Sequence, residues 1–330
     1  MEKYSPPFDI SNKMLELVSS ISEKVGKISN RHNLESRPHL RRNNRILSIH
    51  SSLKIEANSL SLNQVRDVID GNLVLGEQKE IQEVKNAYSA YEKIPEIDIS
   101  NIQDLLNLHG IMTHKTVEES GKFRSGEEGV FQDGKCIFVA PPAKNVSGLM
   151  TDLMSWLENS KNDIHPLIAS SIFHYEFVFI HPFSDGNGRM ARLWHTAILY
   201  NWRDVFEFIP IESQIEKFQN EYYDAIAKCH ENGNSNVFIE FMLKMIDTVI
   251  DDVAKQINKE NIETSEYVKR LLNVMEFDIP YSANSLLEAL NLKSKETLRK
   301  NYIDPAIKLG LIRMTLPEKP KSKNQRYVKF

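Results

Sequence analysis

The chain has 330 residues, 41% apolar and 26% charged, the balance of an ordinary globular protein with room for two or three domains. A net charge of -4 carries no overall nucleic-acid signature, and two cysteines, Cys136 and Cys229, exclude a disulfide scaffold and a cysteine-built zinc site. No stretch approaches the roughly 18 apolar residues of a membrane span, and the N-terminus lacks an apolar segment followed by a small-residue cleavage site. A soluble cytoplasmic protein with no membrane contact is expected.

Ile10, Met14, Leu17, Ile21, Val25 and Ile28 recur in steps of three and four, which predicts an amphipathic helix over 10–30. A basic stretch with Arg37, Arg41, Arg42 and Arg45 follows, and helical periodicity resumes from Ile46 to Ile55. Ser61 or Asn63 is placed to cap a helix carrying Val65, Val68 and Ile69. Further helices are predicted over 78–91, ended by Pro95, and over 102–113.

Residues 121–143 then hold four glycines, short β-branched runs and Pro141-Pro142. Val130-Phe131 and Cys136 to Val139, separated by Asp133-Gly134, predict a β-hairpin. A lone hairpin on a helical protein suits a flap over a site. Helices are predicted again over 146–158, 164–179, about 188–200, 211–230 and 235–256. The second of these is apolar enough to be central, and Phe179 at its end and Trp194 on the next helix are core candidates.

Asn258 to Glu263 reads as a linker. Beyond it, residues 285–330 hold eleven Lys or Arg against four Asp or Glu. Two helices over 285–290 and 294–309, then strands over 311–316 and 325–330, give a helix-turn-helix followed by a two-stranded wing. The chain is therefore divided into an N-terminal helical region (1–100), a core (101–256) and a linker with a winged-helix domain (257–330).

The chemistry concentrates in His181 to Arg192. Glycines at 186 and 188 let backbone amides converge on an anion, and a helix starting there turns its free N–H groups the same way. Arg189 and Arg192 in its first turns oppose the helix dipole, so an anion is expected to compensate them. Asp185 offers a hard oxygen ligand for Mg²⁺ bridging phosphates. His181 is the residue here able to take a proton near neutral pH. An ordinary glycine turn is the bland alternative, but the full set favours a nucleotide or phosphate site. His174 and Glu176 lack the spacing of a zinc helix, and His174 is expected in the core. Neither cysteine has a partner arrangement for nucleophilic catalysis.

This stretch resembles the signature of the Fic (filamentation induced by cAMP) family, His-x-Phe-x-Asp/Glu-Gly-Asn-Gly-Arg-x-x-Arg, with every defining position present. The resemblance implies a mainly α, Fic-type helical core with a hairpin flap, and a protein adenylyltransferase that moves AMP from ATP to a hydroxyl of a target protein, releasing pyrophosphate. On this chain His181 would deprotonate the target Ser, Thr or Tyr, and Phe183 would seat the loop. Asp185 would bind Mg²⁺. Gly186, Asn187 and Gly188 would cradle the phosphates. Arg189 would contact the β-phosphate region and Arg192 the γ-phosphate. The flap would pair with an extended target segment. Tyr222-Tyr223 would lie beside the base or ribose, or else in plain core.

Ser52 and Glu56 resemble the family's inhibitory Ser/Thr-x-x-x-Glu-Gly/Asn motif, with Glu56 expected to bridge to Arg192 in the γ-phosphate position. The sequence departs at Ala57, where Gly or Asn is expected. The C-terminal region resembles the winged helix appended to many bacterial members. Arg299, Lys300, Lys308 and Lys323 would meet DNA, although few base-reading side chains accompany them, so a protein-recognition or dimerisation role is favoured. Self-modification and a homodimer stay open. The competing readings are a Fic enzyme for another nucleotide or for AMP removal, and a DNA-binding regulator whose Fic-like core senses a nucleotide.

Overall fold

The structure, a computed structural model, describes residues 4–29, 38–132, 135–260, 265–276, 279–320 and 322–329. Residues 4–29 and 44–250 form one compact unit; 38–43 and 251–329 form a second.

The first unit is built of helices. α1 (Asn12–Ser29) buries Met14, Ile21, Val25 and Ile28 and is tied to α11 (Asn236–Glu260) through Ser11 to Glu240 and through Ser20 and Lys24 to Asp247. α2 (Pro38–Ile55) starts well before the predicted Ile46. Ahead of Ile46 its only aliphatic side chain is the buried Leu40, set among arginines and asparagines, which hid its first turns from a periodicity argument. Ser61 caps α3 (Leu62–Ile69) in a reciprocal capping box with Gln64. α4 (Gln78–Tyr91) and α5 (Ile102–Met112) follow, the latter capped by Asn101.

The hairpin forms from β1 (Gly129–Gln132) and β2 (Lys135–Val139), antiparallel, with an irregularity between Val130 and Phe131. Its predicted turn, Asp133-Gly134, lies outside the described residues, as does Arg37. α6 (Ala143–Ser160) and α7 (Pro166–Ile180) come next. α7 is buried on nearly every side from Leu167 to Phe177, as its unbroken apolarity predicts for a central helix.

α8 (Asn187–Trp202) packs back on α7, with Trp194 fully buried and donating to the Ile99 carbonyl at 3.2 Å. Phe179 is only half-buried and packs against Phe138 of the hairpin and His230. The single helix expected over 211–230 is two, α9 (Ile211–Lys217) and α10 (Gln219–Asn232), because Phe218 leaves helical geometry at φ -115°, ψ 41°. No glycine or proline announces that break. No helix among the described residues is long and apolar enough to cross a membrane.

The second unit has its own core of Val268, Leu271, Met275, Leu286, Leu298 and Tyr302. It contains α12 (Glu266–Val274), capped by Ser265, which the linker reading passed over. Its sheet has three strands, not two: β3 (Pro280–Ser282) pairs with β5 (Arg326–Lys329), which also pairs with β4 (Ile312–Met314). Between β3 and β4 lie α13 (Ala283–Ala289) and a helical run from Lys295 to Lys308. That run passes through a π-helical stretch, Leu298–Ile303, just ahead of Pro305. The wider turn fits a proline that has no N–H to give to the ladder.

Candidate active site

The loop between α7 and α8 is held from both ends. α7 terminates at His181, which adopts the left-handed conformation (φ 52°, ψ 59°) while its N–H closes on the Phe177 carbonyl at 3.0 Å. That conformation costs a non-glycine residue about 1–2 kcal/mol, so its surroundings must enforce it. Arg124 does. Only 3% exposed, it donates from Nε to the His181 carbonyl at 2.7 Å and from its backbone N–H to the Pro182 carbonyl at 2.9 Å. Its remaining nitrogens reach the Gly126 and Pro141 carbonyls on the chain flanking the hairpin. One guanidinium therefore anchors both the loop and the base of the flap.

The loop's interior is closed by Asn187, whose side chain accepts from the Phe183 N–H at 2.9 Å and donates to the Phe183 carbonyl at 2.7 Å. Asn187 thus braces the loop rather than offering its amide outward. Phe183 is fully buried and stacks on His109 with ring centroids 3.6 Å apart. His109 Nδ1 accepts from the Gly121 N–H at 3.0 Å, so the ring proton sits on Nε2, which donates to the Asp185 carbonyl at 3.0 Å. Burial lowers its pKa from 6.5 to about 4, keeping the imidazole neutral. Gly186 has φ 85°, a left-handed position where a side chain would be strained.

Four side chains of this loop and of the start of α8 carry its chemistry. His181 is half-buried, and burial lowers its pKa, helped by Arg124 and opposed by the Val178 carbonyl, Glu56 and Asp185. Asp185 has a side chain 45% exposed and receives Arg189 Nη2 at 3.0 Å. Arg189 also lies 3.4 Å from Glu83 of α4. Arg192 is 2% exposed. Its Nη2 donates to Glu56 Oε1 at 2.8 Å and to the Ser52 carbonyl at 2.9 Å, and its Nε donates to Ser52 Oγ at 3.0 Å. Burial works against the charge on Arg192, but Glu56 and neighbouring tyrosines outweigh it and raise its pKa further.

Gly188 explains itself by this pairing. A Cβ there would overlap the Glu56 carboxylate and come within 3.1 Å of an Arg192 nitrogen. The predicted Ser52–Glu56–Arg192 set is therefore assembled across 136 residues of sequence.

α2 is gripped along its length within this unit. Asn44 donates to the Phe208 carbonyl, Arg45 pairs with Glu207 and Glu92, and Lys54 pairs with Glu216 at 2.7 Å. Gln219 donates to the Ile55 carbonyl at 3.1 Å. The last turn closes as a Schellman motif: Asn58 N–H reaches the Leu53 carbonyl at 3.1 Å and Ala57 N–H the Lys54 carbonyl at 3.0 Å. Ala57 occupies the left-handed position, φ 65°. Glycine or asparagine suits that position because neither meets the full Cβ penalty there.

Tyr222 is 2% exposed, with its hydroxyl 3.0 Å from His174 Nε2 and the Arg192 guanidinium beside it. Tyr223, 47% exposed, is the member of the pair that meets solvent. His174 is fully buried as expected, and Glu176 accepts from the Tyr4 hydroxyl at 2.7 Å. The sequence reading missed His109, Arg124 and Glu83. Each is a lone polar residue on its element and becomes visible only through what it meets in space. Asp185 fits Mg²⁺ as a single half-exposed carboxylate, the usual protein share when phosphates supply the other oxygens. No cluster of three or more metal-binding side chains exists among the described residues.

Residues 98–199 match the Fic/DOC family model, and residues 266–328 match that of the filamentation induced by cAMP protein Fic-like, C-terminal domain. The chain is 31% identical over 216 residues to the protein adenylyltransferase Fic of Aedes aegypti, covering 62% of this chain and 41% of that protein. It is 25% identical over 280 residues to the protein adenylyltransferase fic-1 of Caenorhabditis elegans, covering 79% and 53%. The chain thus spans about two fifths to one half of the length of these curated relatives. The crystal structure of a Fic family protein from Desulfovibrio desulfuricans superposes with a TM-score of 0.75 at 40% identity, covering 99% of this chain and 98% of that one. A solved C. elegans Fic-1 fragment, 24% identical with a TM-score of 0.64, shares the fold. The complete signature lies in the matched central segment and the likeness runs through both units, so the chain belongs to the Fic family.

Proposed function

We propose that the protein is an autoinhibited protein adenylyltransferase that transfers AMP from ATP to a Ser, Thr or Tyr hydroxyl of a target protein. The observation that carries this reading is the Glu56–Arg192 pair: an internal carboxylate holds a buried arginine beside a glycine loop, where an anion of substrate would otherwise bind. The adenylyltransferase names of its relatives support the choice of reaction.

In this reading Arg192 is the γ-phosphate contact and Arg189 the contact further along the polyphosphate. The backbone of Gly186 to Gly188, at the start of α8, receives phosphate oxygens. Asp185 would hold the Mg²⁺ that accompanies ATP, which would supply neutralising charge to the phosphates. His181 takes the proton of the target hydroxyl. The hydroxyl oxygen bonds to the α-phosphorus, the bond from that phosphorus to the bridging oxygen breaks, and pyrophosphate leaves. Catalysis is then mostly positioning and charge neutralisation, which suits a loop braced by Asn187, His109 and Arg124. The hairpin offers backbone groups to an extended target segment.

We assign residues 1–100 to regulation, 101–256 to catalysis and 257–330 to a linker and winged-helix accessory domain used for protein recognition. The test is the mass of products after the Glu56→Gly protein is given ATP, Mg²⁺ and cell extract. Gain of one AMP on a hydroxyl side chain is expected. Gain of a phosphate alone, or of no group, would refute adenylyl transfer.

A further inference from the structure

We infer that Glu83 is the positioning residue of Arg189, a fixed counter-ion that orients the guanidinium during transfer and links it to the turn carrying Glu56. The inference rests on the proposed reading of the loop as a nucleotide site. Arg189 is 3% exposed, yet its Nε and Nη1 make no hydrogen bond among the described residues. Two carboxylates face it. Asp185 gives the one good hydrogen bond, to Nη2 at 3.0 Å, but its side chain is 45% exposed and its Oδ1 is shared with the Gly186 N–H at 2.5 Å. Glu83 lies 3.4 Å from Nη1 with a side chain only 14% exposed.

If Asp185 turns to the metal that accompanies the nucleotide, Arg189 loses that bond. A buried guanidinium left without a counter-ion is costly. Glu83, on the regular helix α4, then remains as its protein carboxylate. It is itself fixed: its Oε2 accepts from Asn58 Nδ2 at 2.9 Å, and Asn58 Oδ1 accepts from the Leu60 N–H at 3.2 Å. Asn58 is also the residue whose N–H closes the Schellman turn beyond Glu56. The two arginines of the loop are thus each faced by a carboxylate from the N-terminal helices, and Asn58 is common to both supports.

Positioning makes a demand that simple structural support does not. Removing the Glu83 charge leaves Arg189 present and cationic, so attraction for polyphosphate persists and repulsion from one carboxylate disappears. What is lost is orientation at the moment of transfer. The test uses the full-length Glu56→Gly protein as parent, with and without Glu83→Gln, which keeps the shape and removes the charge. Affinity for a non-hydrolysable ATP analogue with Mg²⁺ is measured by calorimetry, maximal AMP transfer by mass spectrometry, and folding by thermal melting.

The expected result is a maximal rate lowered about tenfold, an analogue affinity equal to or tighter than the parent's, and an unchanged melting midpoint. Asn58→Ala in the same parent, where the inhibitory contact is already gone, should lower the rate in the same direction by a smaller factor. An unchanged rate in Glu83→Gln overturns the inference, as does a loss of affinity in step with the rate. Should Glu83→Gln fail to fold, an unchanged rate in Asn58→Ala overturns it instead. A parent that neither binds the analogue nor transfers AMP shows that the nucleotide-site reading has failed, and the assignment of Glu83 falls with it.

Discussion

Replacing Ala57 by glycine should tighten the inhibitory contact, and the expected size follows from backbone geometry. Ala57 sits at φ 65° in the closing turn of α2, one residue past Glu56. A Cβ in the left-handed region costs about 1–2 kcal/mol. Glycine removes that cost but gains freedom in the open turn, which returns about 0.5–1 kcal/mol. The net preference for the closed turn is then about 0.5–1 kcal/mol, a two- to fivefold smaller open population, since about 1.4 kcal/mol corresponds to tenfold. The body of α2 is clasped through Asn44 to the Phe208 carbonyl and through Arg45 to Glu207, well ahead of the turn that carries Glu56.

The assay is the basal rate of AMP incorporation under saturating ATP-Mg²⁺. Ala57→Gly should lower it two- to fivefold, and Ala57→Val, whose branched Cβ fits the left-handed region less well, should raise it. In the Glu56→Gly background neither change should matter. A basal rate that Ala57→Gly leaves unchanged or raises would refute the reasoning, as would an equal fall without Glu56.

Gly188→Ala places a Cβ where the Glu56 carboxylate now sits. In the Glu56→Gly background it should weaken ATP binding much more than AMP binding; equal weakening would separate Gly188 from the γ-phosphate position. Burial depresses the His181 pKa below its ordinary value, and a general base must be neutral. The rate should therefore hold as pH falls to about 6.5 and decline only below it; an acid limb centred above neutrality would contradict this. His109 and His195 are each lowered by burial to about 4, so the unfolded chain binds protons that the folded one excludes. Their contribution to stability is complete above the unfolded value of 6.5 and is lost as pH falls toward about 4, at roughly 2 kcal/mol each by pH 5. Urea unfolding at pH 7 and pH 5 measures it, and a flat profile would remove the buried neutral histidines from the account.

Most of the helices were legible because their apolar positions repeat and their ends carry caps or prolines. α4 runs over the predicted 78–91, and Ser61 closes its box with Gln64. β3 was not legible, since three residues beginning with a proline show no alternation, and its pairing with β5 is a long-range event. α12 has an apolar stripe in Val268, Leu271 and Leu272 that the polar linker before it overshadowed. The break at Phe218 has no glycine or proline to announce it, and the π-helical stretch has only Pro305.

The loop from His181 to Arg192 announced itself because six special residue types crowd a short stretch. Its supports did not. His109 looks like any histidine on an apolar helix, Arg124 like any loop cation and Glu83 like a solvated glutamate. Each acquires meaning from one partner far along the chain: Phe183, the His181 carbonyl and Arg189 respectively. The sequence pattern also made Ala57 conspicuous, but its left-handed φ supplies the reason.

The most direct measurement is transfer of label from ATP labelled at the α-phosphate to protein in cell extract, run side by side for wild type, Glu56→Gly and Glu56→Gly/His181→Ala. Strong labelling by Glu56→Gly, with little from wild type and none above background from the double variant, is the predicted result. Equal labelling by all three would contradict both the inhibitory role of Glu56 and the place of His181 in the chemistry, and labelling that survives loss of His181 would by itself contradict the latter.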